Sequence, residues 1–518
     1  MDMFIKISML IVFFSTMIGI GLYCRKHATD VNGFVLGGRS VGPWLTAFSY
    51  GTSYFSAVVF VGYAGQFGWK YGIAATWAGI GNALLGSLLA WATLGRRTRV
   101  ITQHLNSATM PQFFASRFKS EALKVAASVI VFIFLIPYTA SLYNGLSRLF
   151  GMAFNIDYAV CVIVMAVLTG VYVIAGGYMA AALNDFIQGM IMIGGIIAVI
   201  AAVLNTQGGF MEALDQLGHV YDPAVSETPG VFASFFGPDP AGLLGVVLLT
   251  SLGTWGLPQM VQKFYAIKSE KAINKGMIIS TVFAAIVAGG CYFLGGFGRL
   301  FADRVNVATE GYDAIIPAML ADLPTILIAI VIILVLSASM STLSSLVLTS
   351  ASTLTLDFIK GKIVRNMKEK TQLFILRILI VVFIAISVVI AIVQYKSGVT
   401  FIAQLMGISW GALAGAFLAP FLYGLYWKRV TKAAVWVNFI FSTAFMLSNI
   451  LANAYFPAIL KSSINAGAFC MLAGLIIVPV VSLFTKAPEK EHLDYVFSCY
   501  ERTVEVKVTD SIGEETHK

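Results

Sequence analysis

The chain has 518 residues, of which 58% are hydrophobic and only 11% charged, with a formal charge of +9 and a mean hydropathy of +0.85. Soluble domains cannot hide that much apolar surface, so the composition excludes a soluble enzyme or nucleic-acid-binding domain and indicates an all-α polytopic membrane protein. The sign of the charge matters less than where the basic residues fall.

Each crossing of a hydrocarbon core about 30 Å thick needs roughly 20 mostly apolar residues. The sequence offers thirteen such segments, at 3–23, 42–68, 72–94, 122–149, 157–176, 180–204, 241–262, 276–298, 323–356, 372–394, 399–427, 432–455 and 464–484. The first carries Lys6 near its start, is long enough to span and is followed by no small-residue cleavage site, so it reads as a retained helix rather than a signal peptide. The second, GPWLTAFSYGTSYFSAVVFVGYAG, is interrupted in mid-span by Ser49, Gly51, Thr52, Ser53 and Ser56. The seventh, LLTSLGTWGLPQMVQKF, is interrupted in the same way by Gly253, Gly256 and Pro258. Backbone freed from helical bonding at membrane depth survives only where it is buried or lines a cavity. Paired broken helices at matching places in two halves point to a secondary transporter with a midplane site.

Lys and Arg crowd onto alternate loops and the C-terminal tail. By the positive-inside rule the N-terminus lies outside and the C-terminus in the cytoplasm, as thirteen crossings require. The link from Asn205 to Pro240 has acids but no Lys or Arg and belongs outside, where its length and its Gly and Pro suggest a folded surface loop. Five scattered cysteines form no CxxC pair, and five scattered histidines form no cluster. There is no Walker-type loop, and GGRSVG at 37–42 lacks the strand-to-helix context of a dinucleotide site. The chain therefore reads as a non-enzyme whose energy source is an ion gradient.

The ninth segment is free of charge from Leu323 to Leu356, yet SASMSTLSS at 337–345 holds hydroxyls at Ser337, Ser339, Ser341, Thr342, Ser344 and Ser345. Helical steps of three and four put Ala338, Ser341, Thr342 and Ser345 on one face, with Ser344 beside them. Hydroxyls and freed carbonyls are hard, neutral ligands that suit a small cation which must bind and then leave. Asp185 stands alone between Asp157 and Glu212 in a membrane segment, where a carboxylate is costly unless paired with a cation.

In order along residues 1 to about 485, the blocks GFVLGGRSVGPWLTAFS, VYVIAGGYMAAALNDFIQG, GLPQMVQKF, SASMSTLSS and GALAGAFLAPFLYGLYWKR resemble those of the sodium:solute symporter family, and most closely its proline and pantothenate branches. The resemblance implies a LeuT-type five-plus-five inverted repeat with one extra N-terminal and two extra C-terminal helices. On that layout the chain divides into a leading helix and cytoplasmic link (1–36), a first repeat (37–204), an outer loop (205–240), a second repeat (241–430), two added helices (431–485) and a tail (486–518). The family's shared sodium site falls on the carbonyls of Thr52, Phe55 and Ala338 and the hydroxyls of Ser341 and Thr342. A second sodium site, present in some members, falls on Asp185, Ser341, Ser344 and Ser345. Tyr138 stands 47 residues before Asp185, the spacing of a substrate-cavity Tyr in proline-type members.

Other positions depart from the proline pattern. An Asp essential there is Tyr54 here, and aromatic residues of the substrate-site helix are Thr250 and Thr254. TSYFS is closer to the pantothenate branch, so the resemblance favours a small amino acid or carboxylate other than proline. Trp255 and Tyr143 are further cavity or gate candidates, as are the polar Gln259 and Gln404. The expected partners are the solute, sodium ions and membrane lipid of the plasma membrane, without nucleic acid; the oligomeric state is left open. Proton coupling through Asp185 and a transport-inactive solute sensor are the competing readings.

Overall fold

The computed structural model describes residues 2–154, 157–364, 367–397 and 402–500. Among them the secondary structure is helical throughout, with two isolated backbone bridges and no strand. Ten helices are long and apolar enough to cross a membrane, or eleven if one bent pair is taken as a single span. The start of the 399–427 segment and the tail beyond residue 500 lie outside the described residues.

Helix α1 (Asp2–Cys24) leads the chain and packs on the rim. Gly42 is extended and Pro43 sits in the first turn of α2 (Pro43–Tyr54), where its missing N–H costs nothing. α2 stops at Phe55, whose backbone is extended (φ −101°, ψ 119°), and the chain resumes as α3 (58–71) and α4 (76–104). α5 (Glu121–Phe154) follows. α6 (Tyr158–Thr206) opens under an Asp157 cap and holds the two predicted segments 157–176 and 180–204, which meet at a kink with no loop between them. Its break is Gly177, at φ 54° and ψ −143°, a conformation that L side chains rarely adopt. An added Cβ there would also meet the Phe34 carbonyl oxygen at 2.8 Å.

The 205–240 link folds into α7 (Phe210–His219) and a short 3-10 turn at Val231–Ala233. Asp239 caps α8 (Pro240–Gly256) by accepting from the Gly242 N–H at 2.9 Å. α8 ends at Leu257, which is extended because Pro258 disfavours a helical residue before it, and α9 (Pro258–Ala266) departs at 46°. The two broken helices are thus built alike, each starting with Pro and ending at an extended residue in the bundle interior. α10 (Glu270–Gly295), α11 (Thr325–Thr353), α12 (Glu369–Ser397), α13 (Ile402–Tyr426), α14 (Lys432–Leu451) and α15 (Ser463–Phe484) complete the set.

α11 is the axis of the bundle. It packs against α6, α5, α12, α1 and α2, and from Val331 to Thr353 every residue is buried. Its hydroxyls therefore face protein on all sides and must find partners or ligands there.

Candidate functional site

Where α2 ends, its last carbonyls have no following turn to accept from. The Thr52 carbonyl is aimed at α11, and the hydroxyls of Ser341 and Thr342 each lie 3.1 Å from it. The same hydroxyls reach back to the Ala338 carbonyl at 3.1 and 3.0 Å. Thr52, Ala338, Ser341 and Thr342 thereby form one buried knot of neutral oxygens, and Phe55 stands at the helix break three residues after Thr52. The Thr52 hydroxyl has no hydrogen-bond partner among the described residues. Such a set of hard, uncharged oxygens fits a small monovalent cation better than zinc or copper, which favour nitrogen and sulfur ligands.

One turn toward the other end of α11, four helices meet. The Asp185 carboxylate of α6 accepts from the Ser49 hydroxyl of α2 and lies 3.9 Å from the ammonium of Lys263 on α9. That ammonium donates to the Ser49 and Ser345 hydroxyls at 2.8 and 2.9 Å, and stands 5.2 Å from the centre of the Tyr178 ring. Ser345 is in turn 2.7 Å from the Ser53 hydroxyl. Asp185 is fully buried and the Lys263 side chain only 4% exposed, so each charge depends on the other. Two like charges 4 Å apart repel by about 4 kcal/mol at an effective dielectric near 20, so this ammonium competes with any other cation for the carboxylate.

Of the residues expected to hold a second ion, Asp185 and Ser345 are joined through Lys263. Ser341 faces Thr52 instead, and the Ser344 hydroxyl donates to the Ser341 carbonyl at 2.8 Å. The second carboxylate oxygen of Asp185, Oδ1, has no hydrogen-bond partner among the described residues. Sequence reasoning misses Lys263, because a lysine next to a hydrophobic segment's end reads as a loop cation.

The aromatic residues gather one layer further out. Tyr54 donates its hydroxyl to the Thr250 carbonyl and stacks on Trp410 of α13, with ring centres 5.9 Å apart. Tyr138 of α5 meets the same indole edge-on, also at 5.9 Å. Trp410 is fully buried and is a second residue absent from the sequence-level candidates. Thr250 bonds back to its own helix at Val246, whereas Thr254 donates to the Gly86 carbonyl and Trp255 to the Leu85 carbonyl, both 3.0 Å away on α4. Thr254 and Trp255 thus tie α8 to α4. Tyr143, on α5 with Tyr138, is buried. Gln259, just past the α8–α9 break, is 1% exposed, and neither its amide oxygen nor its nitrogen has a hydrogen-bond partner among the described residues. Gln404 is exposed.

The two ends of the broken helices differ. At one end, Arg39 donates to the carbonyls of Tyr265, Thr102 and Ser107 at 3.1, 3.3 and 2.6 Å, and Val41 pairs with Ala266 and Lys268 through the backbone. This lashes the start of α2 to the end of α9. At the other end a cavity of about 430 Å³ opens between Lys70, Tyr71, Asp222, Asp239, Arg299 and Asn465. There Arg299 lies against the Phe232 ring at 3.9 Å and donates to the Asp222 carboxylate at 2.8 Å, which holds that carboxyl below the usual range.

Known proteins resemble this chain along almost its whole length. The osmoregulated proline transporter OpuE of Bacillus subtilis is 28% identical over 483 residues, covering 92% of this chain and 94% of its own. A sodium/proline symporter of Staphylococcus aureus is 30% identical over 501 residues, covering 93% of each. Among solved structures, the substrate-bound, outward-open state of a sodium-coupled sialic acid symporter superposes with a TM-score of 0.72 at 16% identity, covering 94% of this chain and 99% of that one. A closed, bromovinylhydantoin-bound transporter of the nucleobase-cation-symport-1 family follows at 0.50 and 12% identity, over 89% and 97%. The model of the sodium:solute symporter family matches residues 34–441, spanning both broken helices and the hydroxyl-rich α11 that together build the oxygen knot. The chain belongs to the sodium:solute symporter family.

Proposed function

We propose that this membrane transporter imports a small amino acid or carboxylate together with sodium across the plasma membrane, by alternating access around the breaks in α2 and α8–α9. The observation that carries the reading is the meeting of the Thr52 and Ala338 carbonyls with the Ser341 and Thr342 hydroxyls at 3.0 to 3.1 Å. Sodium bound there, with the Phe55 carbonyl as fifth oxygen, would fasten α2 to α11 and so favour one arrangement of the bundle over another. A cation shifts such an equilibrium only through its different affinity for the two arrangements.

The solute would lie between Tyr54, Tyr138, Trp410 and the amide of Gln259, where aromatic faces meet polar edges. The names of the relatives support a proline-like solute class, whereas Tyr54, Thr250 and Thr254 support a solute other than proline. On this reading the thirteen segments form a five-plus-five inverted repeat with one leading and two trailing helices, N-terminus outside and C-terminus in the cytoplasm. The Arg39 lashing then closes the cytoplasmic side, and the cavity at Asp222 and Arg299 faces outward. Sodium should raise the melting temperature of the purified protein where equal potassium does not. Equal effects of the two ions would remove the site.

A further inference from the structure

We propose that the Lys263 side chain is a tethered cation that fills the position between Asp185 and the hydroxyls of α2 and α11, so that this transporter binds a single sodium ion. The inference deepens the sodium-coupled reading above and rests on it for that count. Three observations carry it. The ammonium is within hydrogen-bond reach of Ser49 and Ser345 and paired with Asp185, so it engages the kinds of oxygen that a mobile cation would use. Its charge balances Asp185, and a sodium ion added beside it would leave the buried cluster with a net positive charge. The shared oxygen knot, by contrast, holds no charged side chain at all, so sodium has no tethered competitor there.

The position of Lys263 gives this exchange a mechanical meaning. It sits on α9, the short half of a broken helix, while its partners sit on α2, α6 and α11. A free ion at this point would leave the protein in each cycle, but a lysine can only travel with its helix. The ammonium therefore acts as a latch holding α9 against the bundle, and movement of α9 would withdraw the positive charge from Asp185 without releasing an ion.

The test is a count of radioactive sodium bound per purified, full-length protein at saturation. The wild type should bind one ion, Lys263→Met two, and the double variant Asp185→Asn with Lys263→Met one. Lys263→Arg, which keeps the charge, should match the wild type. Two ions in the wild type, or no more ions in Lys263→Met than in the wild type, would overturn the assignment. If Lys263→Met is not recovered folded, Lys263→Ser takes its place, and the wild-type count stands as a test by itself. No ion in the wild type but one in Lys263→Met would bring down the sodium-coupled reading while upholding the lysine as the resident cation.

Discussion

The hydroxyl of Thr342 lies 3.1 Å from the carbonyl oxygen of Thr52, 290 residues earlier in the chain, and this contact joins the hydroxyl-rich helix to the break in α2. The break frees the carbonyl and the serine-rich face supplies the hydroxyls. Neither segment alone assembles the site.

Replacing Ser341 and Thr342 together by Ala removes two of the five proposed oxygens. Each hydrogen-bond-like contact to a charge contributes about 1.5 to 3 kcal/mol, so apparent sodium affinity should fall tenfold or more. Sodium titration of thermal stability measures this directly. An unchanged midpoint would place the ion elsewhere.

Gln259 is buried, and neither end of its amide has a hydrogen-bond partner among the described residues. An unpaired buried amide costs about 1 to 3 kcal/mol, so Gln259→Met should leave the melting temperature unchanged or raise it. Solute uptake should nevertheless lose about tenfold in half-saturation if the amide binds solute. Loss of stability without loss of solute affinity would make Gln259 a packing residue.

Gly177 turns α6 at a positive φ, and a Cβ added there would meet the Phe34 carbonyl oxygen at 2.8 Å. Ala at this position combines a strained backbone, worth about 1 to 3 kcal/mol, with a contact that forces Phe34 to move. Gly177→Ala should lower folded yield and melting temperature sharply, as read by size-exclusion chromatography of detergent extracts. Ala at Gly194, where an added Cβ meets nothing within 4 Å, should be tolerated.

In the cavity beside the 205–240 link, Arg299 lowers the Asp222 carboxyl below its ordinary value. A lowered carboxylate contributes stability that is present above its unfolded-state value and is lost as pH falls through the folded one. Protease resistance of the 205–240 loop should therefore hold at neutral pH and fall in acid, below the ordinary range of an aspartate. Asp222→Asn should flatten that dependence and leave the loop more easily cut at pH 7. An identical pH profile in the variant would dissociate the loop from this pair.

Much of the fold is legible in the sequence because membrane helices declare themselves by long apolar runs. Breaks are legible too, since Pro258 and the Ser–Gly cluster around Thr52 are local signals. What periodicity cannot reveal is how neighbouring segments are joined, as 157–176 and 180–204 meet at the Gly177 kink with no loop between them. At the site, Ser341 and Thr342 stand out as hydroxyls in an otherwise apolar span, and Asp185 as an isolated acid. Lys263 does not, because the seventh segment ends on hydropathy at Gln262 and leaves the lysine with the loop cations. Its burial depends on an acid 78 positions earlier in the chain, a pairing that only tertiary structure reveals. Trp410 illustrates the same limit: it reads as a generic membrane aromatic, but it stacks on Tyr54.

The most direct test of the account is solute accumulation in proteoliposomes, offering labelled proline, other amino acids, pantothenate and short carboxylates under an imposed sodium gradient or an imposed proton gradient. Uphill uptake of a small amino acid or carboxylate should follow the sodium gradient and collapse when Ser341 and Thr342 are both Ala, as expected for sodium coupling at the oxygen knot. Uptake that follows the proton gradient in the absence of sodium, with the double variant as active as the wild type, would contradict it.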